Sequence, residues 1–250
     1  MLIERSLRVR GDRSVDVEIV AATTTEGLSP ASDLDPVLLI HGGAAPASRY
    51  RWLAAHLASR GAVVVSPRFL FDLAFFADAD ADDALAAVRD LSRDRDDELS
   101  GVVADARATI VGHSLGAVVA SAVFERDTSI DTAVLMSGYP DPASTPTRTD
   151  GRVVAIHGEQ DGLVDEADVA AGVRAFRAQA IGVAVAGLTH YQLTDDPTES
   201  ELAREGTTGD QIDVARARAL FVVDAAREQP SLAQTPSLWP SGLREVGGAP

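Results

Sequence analysis

Residues 112–116, Gly-His-Ser-Leu-Gly, form a Gly-x-Ser-x-Gly run between a short β-branched segment, Thr109-Ile110-Val111, and an apolar stretch, Ala117-Val118-Val119-Ala120. The pattern predicts a sharp strand-to-helix turn with Ser114 at its apex. Gly112 and Gly116 stand where a Cβ would clash, because strand and helix nearly touch there. A serine so placed is exposed at a helix N-terminus, and the backbone N–H of Leu115 points at any oxyanion that forms on an attacked carbonyl. The chemistry that fits is nucleophilic attack by a hydroxyl. Near neutral pH a hydroxyl needs a base within hydrogen-bond reach and a carboxylate to orient that base.

Two later segments supply both. Val153-Val154-Ala155-Ile156 leads into His157-Gly158-Glu159-Gln160-Asp161, and Val183 to Ala186 leads into Gly187-Leu188-Thr189-His190. Groups at the C-terminal ends of neighbouring parallel strands gather on one edge of the sheet. Ser114, Asp161 and His190 meet the order nucleophile, acid, base. Asp161 competes with Glu159 and Asp165 and is favoured by its place directly before Gly162. His190 is the only histidine after Asp161. His41, His113 and His157 read as packing or loop-bracing residues, His56 as an ordinary helix residue and Trp52 as core. Tyr191 and Gln192 are candidates to line the substrate site.

The elements that must position these residues follow from periodicity. Residues 7–10 and 15–22 alternate around Gly11-Asp12-Arg13-Ser14 and predict an antiparallel hairpin. Apolar runs at 36–40, 62–65, 109–111, 132–136, 152–156 and 182–186 predict strands buried on both faces. Helical spacing is expected at 49–60, 82–91, 117–124, 165–178 and 210–227, the last burying Ile212, Ala219, Leu220 and Val223. Strands alternating with helices after a hairpin give an α/β fold with a mainly parallel sheet covered on both faces. One domain over 1–227 is expected, followed by a Pro/Gly-containing tail over 228–250 that is irregular apart from docking by Leu238 and Trp239. Asp78-Ala79-Asp80-Ala81-Asp82-Asp83 lacks the glycine and terminal glutamate of a calcium loop and reads as a solvated helix N-terminus.

Composition narrows the function classes. The 250 residues carry a formal charge of −16, which disfavours nucleic acid and anionic membrane surfaces as partners. The absence of cysteine removes thiolate catalysis, disulfides and zinc–thiolate sites. No His/carboxylate cluster has metal-ligand spacing, so no metal or cofactor is expected. The first twenty residues never form the apolar run of a signal peptide, and no stretch is long enough to cross a bilayer, so a cytoplasmic protein is expected. All 22 basic residues are arginine, which fits either a GC-rich coding bias or adaptation to high salt.

The sequence resembles the α/β-hydrolases from Pro36 to about Arg227. The resemblance rests on His41-Gly42-Gly43, the elbow at Gly112 to Gly116, Gly158-Glu159-Gln160-Asp161-Gly162-Leu163-Val164, and the late His190. Tyr50-Arg51-Trp52-Leu53-Ala54 with Leu57-Ala58-Ser59-Arg60-Gly61-Ala62-Val63-Val64-Val65 is further similar to the branch of dienelactone-hydrolase-like, chlorophyllase-like and cutinase-like enzymes. It implies Ser114 as nucleophile, His190 as base, Asp161 as orienting carboxylate, and N–H groups of Leu115 and of Gly43 or Ala44 as an oxyanion hole. Dienelactone hydrolase itself uses cysteine, so its substrate is not carried over. The loop between the strands ending at Met136 and starting at Arg152 leaves no room for a cap domain; Phe69, Phe71, Phe75 and Phe76 are candidates for an apolar wall beside an open site. The expected activity is a serine esterase acting on a small-molecule ester. Thioesterase, amidase and a non-catalytic binding protein on the same fold are the alternatives.

Overall fold

The computed structural model describes residues 2–8, 14–23, 31–69, 78–141, 143–206 and 208–246. The elements in chain order are β1 Leu2–Arg8, β2 Ser14–Ala21, β3 Asp35–Ile40, α1 Arg51–Ser59, β4 Ala62–Arg68, α2 Asp78–Arg93, β5 Ala108–His113, α3 Leu115–Arg126, β6 Ile130–Met136, β7 Arg152–Gly158, α4 Glu166–Ala175, β8 Gln179–Val185, α5 Glu199–Glu205, α6 Ile212–Glu228, α7 Pro230–Ala233 and β9 Leu243–Glu245. They form one sheet in the order β1-β2-β4-β3-β5-β6-β7-β8-β9. Pairing is antiparallel at β1/β2, β2/β4 and β8/β9 and parallel from β4 through β8.

The central strands are built largely of apolar residues because both faces are covered. Along β3, Leu38 and Ile40 face a core shared with Leu85 and Val88 of α2 and Ala120, Val123 and Phe124 of α3. Val37 and Leu39 face the opposite core, with Leu53 and Leu57 of α1 and Ala219 and Val223 of α6. Burying a leucine- or phenylalanine-sized side chain contributes about 1.5–3 kcal/mol. Two stocked layers therefore hold the sheet flat against its helices and fix the strand ends from which the loops depart.

Strand order reverses between β3 and β5, whose crossovers leave in opposite directions. A parallel sheet opens a crevice at such a point, outside the carboxyl ends of the strands. The loop after β3 and the turn after β5 both open there.

Three expectations need correction. The segment after residue 227 is not an irregular tail: α7 follows directly, and β9 adds a ninth strand along β8, with Val183 opposite Glu245 and Val185 opposite Leu243. Trp239 docks, its Nε1–H donating to the Leu232 carbonyl at 3.0 Å, but Leu238 is 63% exposed. Ile212 is not buried either; it opens α6 at 39% exposure, a position turned out before the helix reaches the sheet. No helix or strand occurs between β6 and β7 among the described residues, as expected for a chain without a cap. No described helix is long and apolar enough to cross a membrane.

Candidate active site

Ser114 sits between β5 and α3 with φ 54° and ψ −122°, a conformation that costs an L-residue about 1–3 kcal/mol. The surroundings over-determine it. Its N–H donates to the Met136 carbonyl at 2.8 Å, and its own carbonyl accepts from Ala117 at 2.9 Å. A Cβ on Gly112 would collide with the Gly116 carbonyl, and one on Gly116 with the carbonyls of Ile40 and His41. The two glycines let the turn press against the end of β3. Leu115 is the first residue of α3, so helix geometry offers its N–H no partner within the helix.

The loop after β3 reaches the same point. A turn closes from Ala45 N–H to the Gly42 carbonyl at 3.4 Å, with Ala44 at φ 56°. Gly43 lies against Leu115, where an added Cβ would come within 3.2 Å of Leu115 Cδ2. The expected donors at Gly43, Ala44 and Leu115 therefore belong to two adjoining segments beside Ser114.

Asp161 follows β7, and His190 follows β8. The Asp161 carboxylate is fully buried; its Oδ2 accepts from His190 Nδ1 at 3.0 Å, and its Oδ1 accepts the N–H groups of Leu163 and Val164 at 2.9 and 3.0 Å. Burial pushes this carboxyl up, but the His190 hydrogen bond and charge, with the two amides, outweigh it and hold it below the usual carboxylate range. An ionised carboxylate only accepts, so His190 carries a proton on Nδ1, the tautomer that in the neutral ring leaves Nε2 as the acceptor. His113, directly before Ser114, packs against His190 with ring centroids 4.7 Å apart and the rings tilted by 49°. No hydrogen bond joins Ser114 Oγ to His190 among the described residues.

Several residues that brace this arrangement are not legible as functional in the sequence. Glu205, at the end of α5 and 3% exposed, accepts from Gly162 N–H at 3.3 Å and from Tyr191 N–H at 2.5 Å. Those are the residues immediately after Asp161 and His190, so one carboxylate ties the two loops together. Arg216 of α6 donates to the carbonyls of Gln192 and Thr194, both at 2.8 Å, and lies over the Trp52 ring. Arg49 donates to the Asp195 carbonyl and makes a bidentate pair with Glu201 at 2.7 and 2.9 Å, which lowers Glu201 to about 2. The one available signal for this region is Thr198-Glu199-Ser200-Glu201, a capping box that starts α5.

A second buried chain links Tyr50, His113 and the loop after β3. The Tyr50 hydroxyl accepts from Gly42 N–H at 2.9 Å and lies 2.8 Å from His113 Nδ1. Burial, with the nearby His190, holds His113 well below its ordinary value, so it stays neutral. His41 is likewise a bracing residue, 1% exposed with its Nδ1 2.8 Å from the Gly42 carbonyl.

A cavity of about 670 Å³ opens beside Ser114, lined by Leu115, Val118 and Ala122 of α3, by Tyr139 and Asp141 of the β6–β7 loop, and by Val164. Of the residues expected to line the substrate site, the described ones, Phe69, Tyr191 and Gln192, are not in its wall. Phe69 is 8% exposed and packs on His41, 4.9 Å between centroids, as part of the core. Gln192 is a brace, accepting from Thr189 N–H and donating to the Asp210 carbonyl. Tyr191 packs edge-on against His190 and is absent from the cavity wall. Phe71, Phe75 and Phe76 lie outside the described residues. No metal-binding cluster of His, Asp or Glu occurs among the described residues.

A family model described as the alpha/beta hydrolase family matches residues 36–196. A solved structure of a candidate dienelactone hydrolase from Klebsiella pneumoniae subsp. pneumoniae MGH 78578 superposes with a TM-score of 0.64, covering 92% of this chain and 98% of that one at 14% identity. At that identity the likeness extends to the fold alone. No curated protein matches by sequence.

Proposed function

We propose that this chain, which belongs to the alpha/beta hydrolase family, is a serine esterase in which Ser114, His190 and Asp161 act on a small-molecule carboxylic ester. The observation that carries the reading is the buried Asp161–His190 hydrogen bond at the sheet edge where Ser114 is held in its strained turn.

His190 Nε2 takes the Ser114 proton as Oγ attacks the ester carbonyl carbon. The contact between them closes in the substrate complex, where catalytic hydrogen bonds commonly tighten. Negative charge on the former carbonyl oxygen falls to the N–H groups of Leu115 and of Gly43 or Ala44, and the positive end of α3 adds to them. Collapse expels the alcohol, which receives the proton from His190. Water, deprotonated by the same nitrogen, then releases the acid. Asp161 stays ionised throughout and holds the ring in the productive tautomer.

The test is hydrolysis of p-nitrophenyl acetate by the protein and by Ser114→Ala. A loss of turnover by several orders of magnitude, toward the ~10⁶-fold typical of a missing nucleophile, is expected with an unchanged fold. Near-normal hydrolysis by the variant overturns the assignment.

A further inference from the structure

The cavity beside Ser114 does not end at its own rim. A second one of about 180 Å³ shares Ser121, Ala122 and Ser144 with it and continues to Glu125 and Thr147. The shared residues make the two a single groove, with one side of α3 as its floor and the β6–β7 loop as its wall. Ser114, Val118 and Ala122 succeed one another at intervals of four residues, so the floor recedes from the nucleophile by about 6 Å per step.

The chemistry of this groove is one-sided. Leu115, Val118, Ala122 and Val164 give it an apolar surface near the nucleophile. Its charged groups are acidic: Asp141 lines the first part and Glu125 the second, and no arginine or histidine lines either among the described residues. Tyr139, in the wall of the first part, stays a neutral phenol, because burial and the neighbouring Asp168 and Asp165 push its hydroxyl up. Two arginines adjoin groove residues in sequence: Arg148, next to Thr147, is buried and committed to Asp150 and to the carbonyls of Phe124 and Asp127, and Arg126, next to Glu125, donates to Asp82 at 2.6 Å.

We infer that the groove along α3 holds the acyl chain of the ester, and that it selects extended, uncharged chains and rejects acyl groups bearing a carboxylate. This rests on Ser114 being the nucleophile. Apolar chains gain by leaving water along the floor, whereas a carboxylate there would meet like charge with no cation to pair with.

The experiment is a series of p-nitrophenyl esters, acetate, butyrate, octanoate and the monoester of succinate, assayed on the protein and on Ala122→Trp, Val118→Trp and Asp141→Asn. Ala122 is exposed and Val118 half-buried, so at least the first indole is carried without disturbing the core. Octanoate is expected to exceed acetate in kcat/KM in the natural protein. Ala122→Trp should cut the octanoate-to-butyrate ratio about tenfold, and Val118→Trp, one turn closer, should also cut the butyrate-to-acetate ratio. The succinate monoester should run at least about tenfold below butyrate at low salt, with the gap narrowing in high salt and in Asp141→Asn. Asparagine keeps the Oδ1 acceptor that Ala143 N–H uses at 2.9 Å, so that variant tests charge alone. Ratios indifferent to both tryptophans, or a succinate ester hydrolysed as well as butyrate, overturn the groove while leaving the esterase standing. Failure of every ester in the natural protein overturns the esterase and the groove together.

Discussion

Ser114 spends conformational energy to stand where it does, and its neighbours show what that position is for. Asp161 is the partner most exposed to a conservative test. Asparagine keeps the oxygen that accepts from Leu163 and Val164, but it offers an amide where His190 Nδ1–H needs an acceptor. Asp161→Asn should therefore fold normally and lose about 10⁴-fold in kcat, read from steady-state kinetics beside an unfolding curve. Activity near that of the natural protein would remove Asp161 from the mechanism. Tyr50→Phe tests the other buried chain. It leaves Gly42 N–H and His113 Nδ1 without their partner, at a cost of about 1–3 kcal/mol in urea unfolding. A variant as stable as the original would show that the contacts contribute nothing net.

At the scale of elements, the site is assembled from loops that strands deliver and helices restrain. Glu205 of α5 is the sharpest case, because it accepts from the residues following both Asp161 and His190. Glu205→Gln retains one acceptor and Glu205→Ala retains none, so kcat should fall in that order with KM nearly constant. Equal and unaltered kcat in both variants would make the carboxylate a local cap only. Much of this level was readable in advance: Gly112, Ser114 and Gly116 announce the elbow, and the apolar runs announce the buried strands, since both follow from local sterics and two-sided burial. The braces were not. Glu205 is one acidic residue among many until the chain folds, and Gln192 and Tyr191 lie next to His190 yet turn away from the cavity. β9 carries only Leu243-Arg244-Glu245 amid prolines and glycines, too short for any period. It exists because β8 offers an edge, Gly182 leaves room for Val246, and Arg244 pairs with Glu166 at 2.6 Å. Truncation before Gly242 should uncover that edge and favour association, detectable by light scattering.

For the whole molecule, stability should follow pH through its buried histidines. His113 and His157 are held below their ordinary values chiefly by burial, so the native state refuses protons that the unfolded chain accepts. Their contribution is complete above about pH 6.5 and is lost as pH falls, with a slope approaching ~1.4 kcal/mol per unit for each ring. Asp161, held below the usual carboxylate range, contributes above about pH 4 and is lost as acid protonates it in turn. Unfolding free energies measured from pH 8 to 5 should therefore decline, and a flat profile would contradict the burial of neutral rings. The acidic, lysine-free surface bears on salt response rather than on chemistry; activity indifferent to potassium chloride would leave coding bias as its explanation. The central claim is met most directly by treating the folded protein with a fluorophosphonate and mapping the adduct by peptide mass spectrometry. One equivalent on Ser114, abolished in Ser114→Ala and strongly slowed in His190→Ala, is the predicted result. Folded protein that takes up no label, or takes it on another residue, would contradict the account.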